Sequence, residues 1–96
     1  MTLDEIKTVL NEIIDSFLEK KIDKDEVVRQ LNIRLNPEEI YNLDNEFMVT
    51  DCYFAIKHLT ENGYETTLKE LQYFRECFLG RRLYDLNEKN EYILGK

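Results

Sequence analysis

The chain lacks most of the residues on which enzyme active sites and metal centres depend. Its 96 residues include no tryptophan, one proline, three glycines, two cysteines, one histidine and one serine. A single histidine excludes metal sites that need two imidazoles, and the glycines form no glycine-rich phosphate loop. Ser16 does not lie in a G-x-S-x-G nucleophile elbow. We therefore expect no enzymatic activity, no cofactor and no metal.

The two cysteines and the histidine favour structural roles. Cys52 and Cys77 fit no C-x-x-C pattern, which predicts reduced, half-buried side chains rather than a disulfide or a metal pair. No glutamate lies three residues before His58, so the E-x-x-H element of a di-iron bundle is missing. A catalytic Cys–His dyad remains an alternative only if the fold brings the two side chains together, because Cys52 and His58 are on different parts of one helix surface.

Long hydrophobic runs and sustained polar–apolar alternation are also missing. Because long hydrophobic runs are missing, we expect no membrane contact. The amino-terminal stretch reads as an amphipathic helix without a signal-peptide core, so we expect a cytoplasmic protein. Without sustained alternation we expect no strands. Hydrophobic residues make up 43% of the chain and include six tyrosines and five phenylalanines. This is enough apolar area for one domain over residues 1–96.

Helix-start signals recur along the chain. T-x-x-E capping boxes begin at Thr2 and Thr67, Asp23 is a further N-cap, and Asn36-Pro37 is typical of a first helical turn. The fold class is predicted to be all-α, an antiparallel four-helix bundle with or without a short extra helix. The predicted helices span 3–21, 24–34, 37–61 and 68–79. Within 37–61 a kink or break near Asp44 is favoured over a continuous helix, and residues 81–96 are predicted to be a loop whose end either forms one last turn or frays.

The central helix, from Asp44 to Gly63, is the most apolar stretch and should be surrounded by the others. Asp44 is its predicted N-cap, and Asn62-Gly63 is its predicted stop. Helical spacing of apolar residues also predicts the core. Its most sensitive positions should be Leu10, Phe17, Cys52, Ile56, Leu59, Leu71 and Phe74.

Basic residues are scarce in the middle of the chain. Residues 36–65 contain seven acids against Lys57 alone, a net charge of −6, whereas residues 1–35 carry −2 and residues 66–96 carry +1. Phosphate backbones and anionic membranes attract clustered Lys and Arg, so direct nucleic-acid binding and membrane adhesion are disfavoured. The expected partner is a basic protein.

This acidic middle is the predicted partner-binding surface, although capping and solvation explain many of its acids. For Asp51, which interrupts the most apolar run, an ordinary exposed position is favoured over a partly buried one with a hydrogen-bond donor. Exposed tyrosines should act as anchors. The candidate residues are Glu38, Glu39, Asp44, Glu46, Asp51, Glu61, Glu65, Tyr41, Tyr53 and Tyr64.

Two stretches resemble the immunity proteins of the colicin D type. They are IIDSFLEKKIDKDEVV (13–28), an amphipathic helix followed by a lysine-rich turn and a helix that opens on acids, and EFMVTDCYFAI (46–56), an acid-flanked apolar helix. The resemblance implies a bacterial helical bundle whose acidic face occupies the basic active site of a tRNA-cleaving toxin domain. Two alternatives stay open, a non-enzymatic helical adaptor or regulatory protein, and a nucleic-acid mimic that blocks a nucleic-acid-binding protein.

Overall fold

The fold was analysed in a computed structural model, which describes residues 1–45, 47–60 and 68–95. These residues contain helices and no strand, which confirms the all-α prediction. The helices are α1 (Leu3–Leu18), α2 (Lys24–Arg34), α3 (Pro37–Leu43), α4 (Met48–Lys57), α5 (Leu68–Phe78) and α6 (Leu86–Leu94).

Three of the predicted helix starts are formed by the predicted side chains. At α1 the capping box is complete, because the Glu5 amide donates to Thr2 Oγ1 at 3.2 Å and the Thr2 amide donates to Glu5 Oε1 at 3.1 Å. Asp23 accepts from an amide in the first turn of α2 at 2.9 Å. At the start of α3, Asn36 Oδ1 accepts from the Glu38 amide at 3.0 Å, and Pro37 is at the first helical position. The Thr67 box lies outside the described residues.

Helix α1 forms the centre of the packing and contacts α2, α3, α4 and α5, whereas the backbone of α6 approaches that of α5 alone. The stripe that α1 presents inward is buried, as are the inner residues of α4 and α5. Phe17 is partly buried and packs against this core. The other predicted core positions are all buried: Leu10, Cys52, Ile56, Leu59, Leu71 and Phe74.

The predicted break near Asp44 separates α3 from α4. Phe47 is the residue before α4, has a left-handed backbone (φ 67°) and makes no side-chain cap. Instead, Asp44 Oδ2 accepts from the Thr50 amide at 2.8 Å. Asp44 therefore caps α4 as expected, although it lies four residues before Met48, the first residue of the helix. The helix ends at Lys57 rather than near 61, and the predicted Asn62-Gly63 stop lies outside the described residues.

We expect Asp44→Ala to lower the free energy of unfolding by about 1 kcal/mol, the usual contribution of a side-chain cap. Asp44→Asn should cost less, because it keeps an acceptor oxygen. The matched control is Asn45→Ala, an exposed neighbour. Urea denaturation measures all three, and an Asp44→Ala protein as stable as its Asn45→Ala counterpart would contradict the capping role.

The sequence prediction was wrong about the carboxyl-terminal segment. Residues that were assigned to a loop with at most one last turn form α6. Its start is capped by Asp85 Oδ1, which accepts from the Glu88 amide at 3.0 Å, and it ends at Gly95 with a left-handed backbone (φ 76°). Asp85 with Glu88 three positions later is a helix-start pattern that is visible in the sequence. Helix α1 is also shorter than predicted, since Lys20 has a left-handed backbone (φ 63°).

Candidate partner-binding surface

The acids of the central segment divide into a structural group and an exposed group. The structural acid, Asp51, pairs with Lys89. The Lys89 side chain is 6% exposed, and its Nζ donates to Asp51 Oδ2 at 2.7 Å and to Glu70 Oε2 at 2.8 Å. The Tyr84 hydroxyl also donates to Asp51 Oδ2 at 2.7 Å. Lys89 Nζ lies 5.3 Å from the centroid of the Phe74 ring. We call these five residues the Lys89 network, which joins α4, α5 and α6.

Asp51 is therefore not an exposed acid, and the partly buried alternative with donors holds. Its carboxylate accepts from an ammonium and a phenol within the fold, and it shares that ammonium with Glu70. A reversed charge at this position would bring a second cation against Lys89. We assign Asp51 to stability rather than to the exposed acidic surface.

The Lys89 network should make stability depend on pH in alkali. Burial lowers the pKa of Lys89, but its hydrogen bonds and the charges of Asp51 and Glu70 outweigh this and raise the pKa overall. Burial, followed by the bond to Asp51, raises the pKa of Tyr84. Both groups therefore favour the protonated form in the folded state, and their contribution is present below the unfolded-state pKa values of 10.5 and 10.0.

We expect the urea midpoint to fall as the pH rises through and above 10.5, the unfolded-state pKa of lysine. Burial also raises the pKa of Cys52, which acts in the same direction. Tyr84→Phe should reduce the pH dependence, because the phenol no longer titrates. A midpoint that stayed constant across this alkaline range would contradict the network.

The exposed acids lie at the start of α3. Glu38 and Glu39 are both exposed, and Glu39 makes only a long contact of 3.9 Å with the amino group of Met1. Asp44 is partly buried and is used as a cap. The remaining candidates, Glu46, Glu61, Glu65 and Tyr64, lie outside the described residues. Within the described part of the acidic segment, the exposed charge is thus concentrated on one turn of α3.

Three rings lie in a row next to Glu38, which precedes Tyr41 by three residues on α3. Tyr41 stacks on Phe54 with ring centroids 5.8 Å apart at 22°, and Phe54 stacks on His58 at 5.9 Å and 8°. Tyr41 is 46% exposed and Phe54 is 37% exposed. We call Tyr41, Phe54 and His58 the aromatic row. It is formed across two helices, because α3 folds against α4 after the break.

The tyrosine predictions have different outcomes in the structure. Tyr41 is exposed in the aromatic row, whereas Tyr53 is buried in the core at 1% exposure and carries Lys57 Nζ 5.7 Å from its ring centroid. Tyr53 therefore offers no exposed anchor. Sequence reasoning missed Phe54 as a surface residue, although its four-residue spacing to His58 places the two rings on one helix face. Leu43 and Phe47, both near the break, add exposed apolar area.

Burial holds the thiols of both cysteines in the protonated form. Cys52 is completely buried, and burial raises the pKa of its thiol well above the usual value, which disfavours a nucleophilic thiolate. Burial also raises the pKa of Cys77. In residues 1–45, 47–60 and 68–95, no cluster of three or more His, Cys, Asp or Glu side chains is placed to hold a metal ion.

The surface of α3 and α4 is consequently the strongest candidate site in the described chain. It combines Glu38, Glu39 and the aromatic row, and exposed aromatic and apolar residues in one area are typical of protein-binding surfaces. None of the described helices has the length and apolar character needed to cross a membrane. Comparisons of the chain with protein-family models, curated proteins and solved structures find no match.

Proposed function

We propose that this chain is an immunity protein, a stoichiometric inhibitor that neutralises a basic, nuclease-type bacterial toxin domain. The observation that carries the proposal is the aromatic row beside the exposed acids of α3. We define the docking face as Glu38, Glu39, Tyr41, Phe54 and His58. The proposal places the partner on this face, in cytoplasm, without a cofactor and without catalysis by the chain itself.

Electrostatics and ring burial have separate parts in this proposal. The chain has a formal net charge of −7, and a basic partner would be attracted over a distance of roughly 10 Å at 0.1 M salt. Such attraction mainly raises the association rate constant. Affinity would come from a few large side chains that become desolvated, for which Tyr41 and Phe54 are the exposed aromatic candidates.

A nuclease is the basic partner that best fits an acidic docking face. Its active site must attract the phosphates of a nucleic acid and is therefore lined with Lys and Arg. Carboxylates can occupy the same site and exclude the substrate. The resemblance of residues 13–28 and 46–56 to immunity proteins of the colicin D type agrees with this mode of inhibition.

The direct test is a titration of nuclease activity. Immunity proteins are encoded directly downstream of their toxins, so the substrate-cleaving assay uses the purified domain encoded upstream of this chain. We expect RNA cleavage to fall linearly and to end at one molar equivalent of the chain. Tight binding without inhibition would favour the adaptor alternative, and full cleavage in the presence of excess chain would contradict the proposal.

We also expect association to slow as salt rises, because the exposed acids of α3 act at a distance. Stopped-flow mixing of the chain with the toxin domain measures the association rate constant. The dissociation rate constant should change far less, since it depends mainly on the desolvated rings. An association rate constant that does not depend on salt would exclude electrostatic attraction as the source of encounter.

A further inference from the structure

We propose that the aromatic row recognises an arginine of the partner, whose guanidinium stacks on Phe54 and pairs with the carboxylate of Glu38. This inference rests on the proposed function, because it concerns the same docking face. It adds the chemical identity of the partner group, which the charge of the surface alone does not determine.

The geometry of the row favours a planar cation. The planes of Tyr41 and Phe54 differ by 22°, and those of Phe54 and His58 by 8°. Nearly parallel rings with centroids almost 6 Å apart are offset, so each face is only partly covered by its neighbour. A guanidinium is flat and weakly hydrated and can lie parallel to such faces, whereas an ammonium is a compact, strongly hydrated charge.

The chain already places its own cations on other rings, one of which, Tyr53, meets Phe54 edge-on with ring centroids 5.9 Å apart. The guanidinium carbon of Arg82 lies 4.9 Å from the centroid of Tyr92, and Lys57 Nζ lies 5.7 Å from that of Tyr53. Among the residues that the structure describes, no Lys or Arg occupies the faces of Tyr41 or Phe54. Tyr41 and Phe54 therefore have ring faces of the kind that this chain uses for cations, and no described lysine or arginine lies over them.

The carboxylate of Glu38 completes the site for a guanidinium. Glu38 precedes Tyr41 by three residues on α3, so the two side chains are neighbours on one face of the helix. Glu38 is exposed and forms no ion pair within the described chain. A carboxylate can accept two parallel hydrogen bonds from a guanidinium, which an ammonium cannot donate in that geometry.

The test compares two synthetic peptides with the full chain. One is a glycine–serine peptide that carries several arginines, and the other is its lysine twin with the same charge. Titrations followed by NMR report the shifts of the Tyr41, Phe54 and His58 ring protons together with the dissociation constant. We expect the arginine peptide to bind about two- to fivefold more tightly, because only its planar guanidinium adds stacking and a paired hydrogen bond to the attraction of charge, and to shift these ring signals.

Two variants separate ring stacking from simple apolar contact. Phe54→Leu keeps the apolar bulk but removes the aromatic face, and we expect it to abolish the arginine preference. Leu83→Ala, at a site that is 89% exposed and outside the docking face, should leave the preference unchanged. Chemical shifts of the remaining residues show whether each variant stays folded.

The outcomes distinguish this inference from the proposed function. The arginine site would be overturned if both peptides bound equally and if Glu38→Lys, but not Phe54→Leu, weakened that binding. The surface would then recognise only the positive charge of its partner. If neither peptide shifts the ring signals, both the arginine site and the basic-partner face are overturned. An arginine preference that survives in Phe54→Leu would also overturn the stacking geometry.

Discussion

Replacing Phe74 with alanine is expected to lower the free energy of unfolding by about 3 to 5 kcal/mol, the cost of truncating a fully buried aromatic ring. Phe74 is completely buried. Its ring stacks on Tyr84 at 6.3 Å and 11°, and Lys89 Nζ lies over it at 5.3 Å. The substitution therefore removes core volume from α5. It also removes the ring that packs against Tyr84 and Lys89.

Urea denaturation followed by circular dichroism measures this effect. Leu83→Ala is the control, because Leu83 is 89% exposed and its truncation should change stability by less than about 0.5 kcal/mol. A loss below about 1 kcal/mol for Phe74→Ala would mean that the assigned packing of α5 is incorrect. A variant too unstable to purify at ordinary temperature is replaced by Phe74→Leu, which should lose less.

The second large effect is expected from Lys89→Met, which removes the ammonium between two carboxylates. Breaking a fully buried pair costs about 3 to 5 kcal/mol, because the remaining charge is left without a partner. The side chains of Asp51 and Glu70 keep 22% and 17% exposure, so we expect about 2 to 3 kcal/mol. For a domain of this size this lowers the melting temperature by roughly 10 to 20 °C.

Lys24→Met is the matched control, since it deletes the same charge at an exposed position. It should change stability by no more than about 0.5 kcal/mol. A triple variant that adds Asp51→Asn and Glu70→Gln to Lys89→Met should recover part of the loss, because the unpaired carboxylates are then neutral. Equal stability of the Lys89→Met and Lys24→Met proteins would show that the network contributes nothing to docking α6.

The features that were predictable from sequence depend on neighbours along the chain. Thr2 with Glu5, Asp23, and Asn36 with Pro37 determine helix starts within one turn. The apolar spacing of α1 and α4 identified the buried positions for the same reason. These signals were sufficient for the fold class and for most of the core.

The Lys89 network was not predictable, because its partners are far apart in sequence. Asp51 is 38 residues from Lys89 and 33 from Tyr84. No local pattern indicates that these side chains meet, so the sequence alone favours an exposed position for Asp51. The aromatic row was not predictable for a similar reason. Tyr41 contacts Phe54 only because the chain turns back between α3 and α4.

The central claim is that a basic partner binds the docking face of α3 and α4. The most direct measurement is the dissociation constant of the toxin domain for Glu38→Lys/Glu39→Lys, compared with Asp25→Lys/Glu88→Lys. Both double variants change the net charge equally, and both alter exposed acids in the first turn of a helix. Their direct effects on the helices should therefore be similar.

We predict that reversal at Glu38 and Glu39 weakens binding by about tenfold or more, because like charges would then meet across the interface. The control should bind nearly as tightly as the unaltered chain, and both variants should keep the helical spectrum. The opposite result would contradict the claim: unchanged affinity for Glu38→Lys/Glu39→Lys, with binding abolished when Glu12 and Asp15 of α1 and Glu19 just after it are reversed.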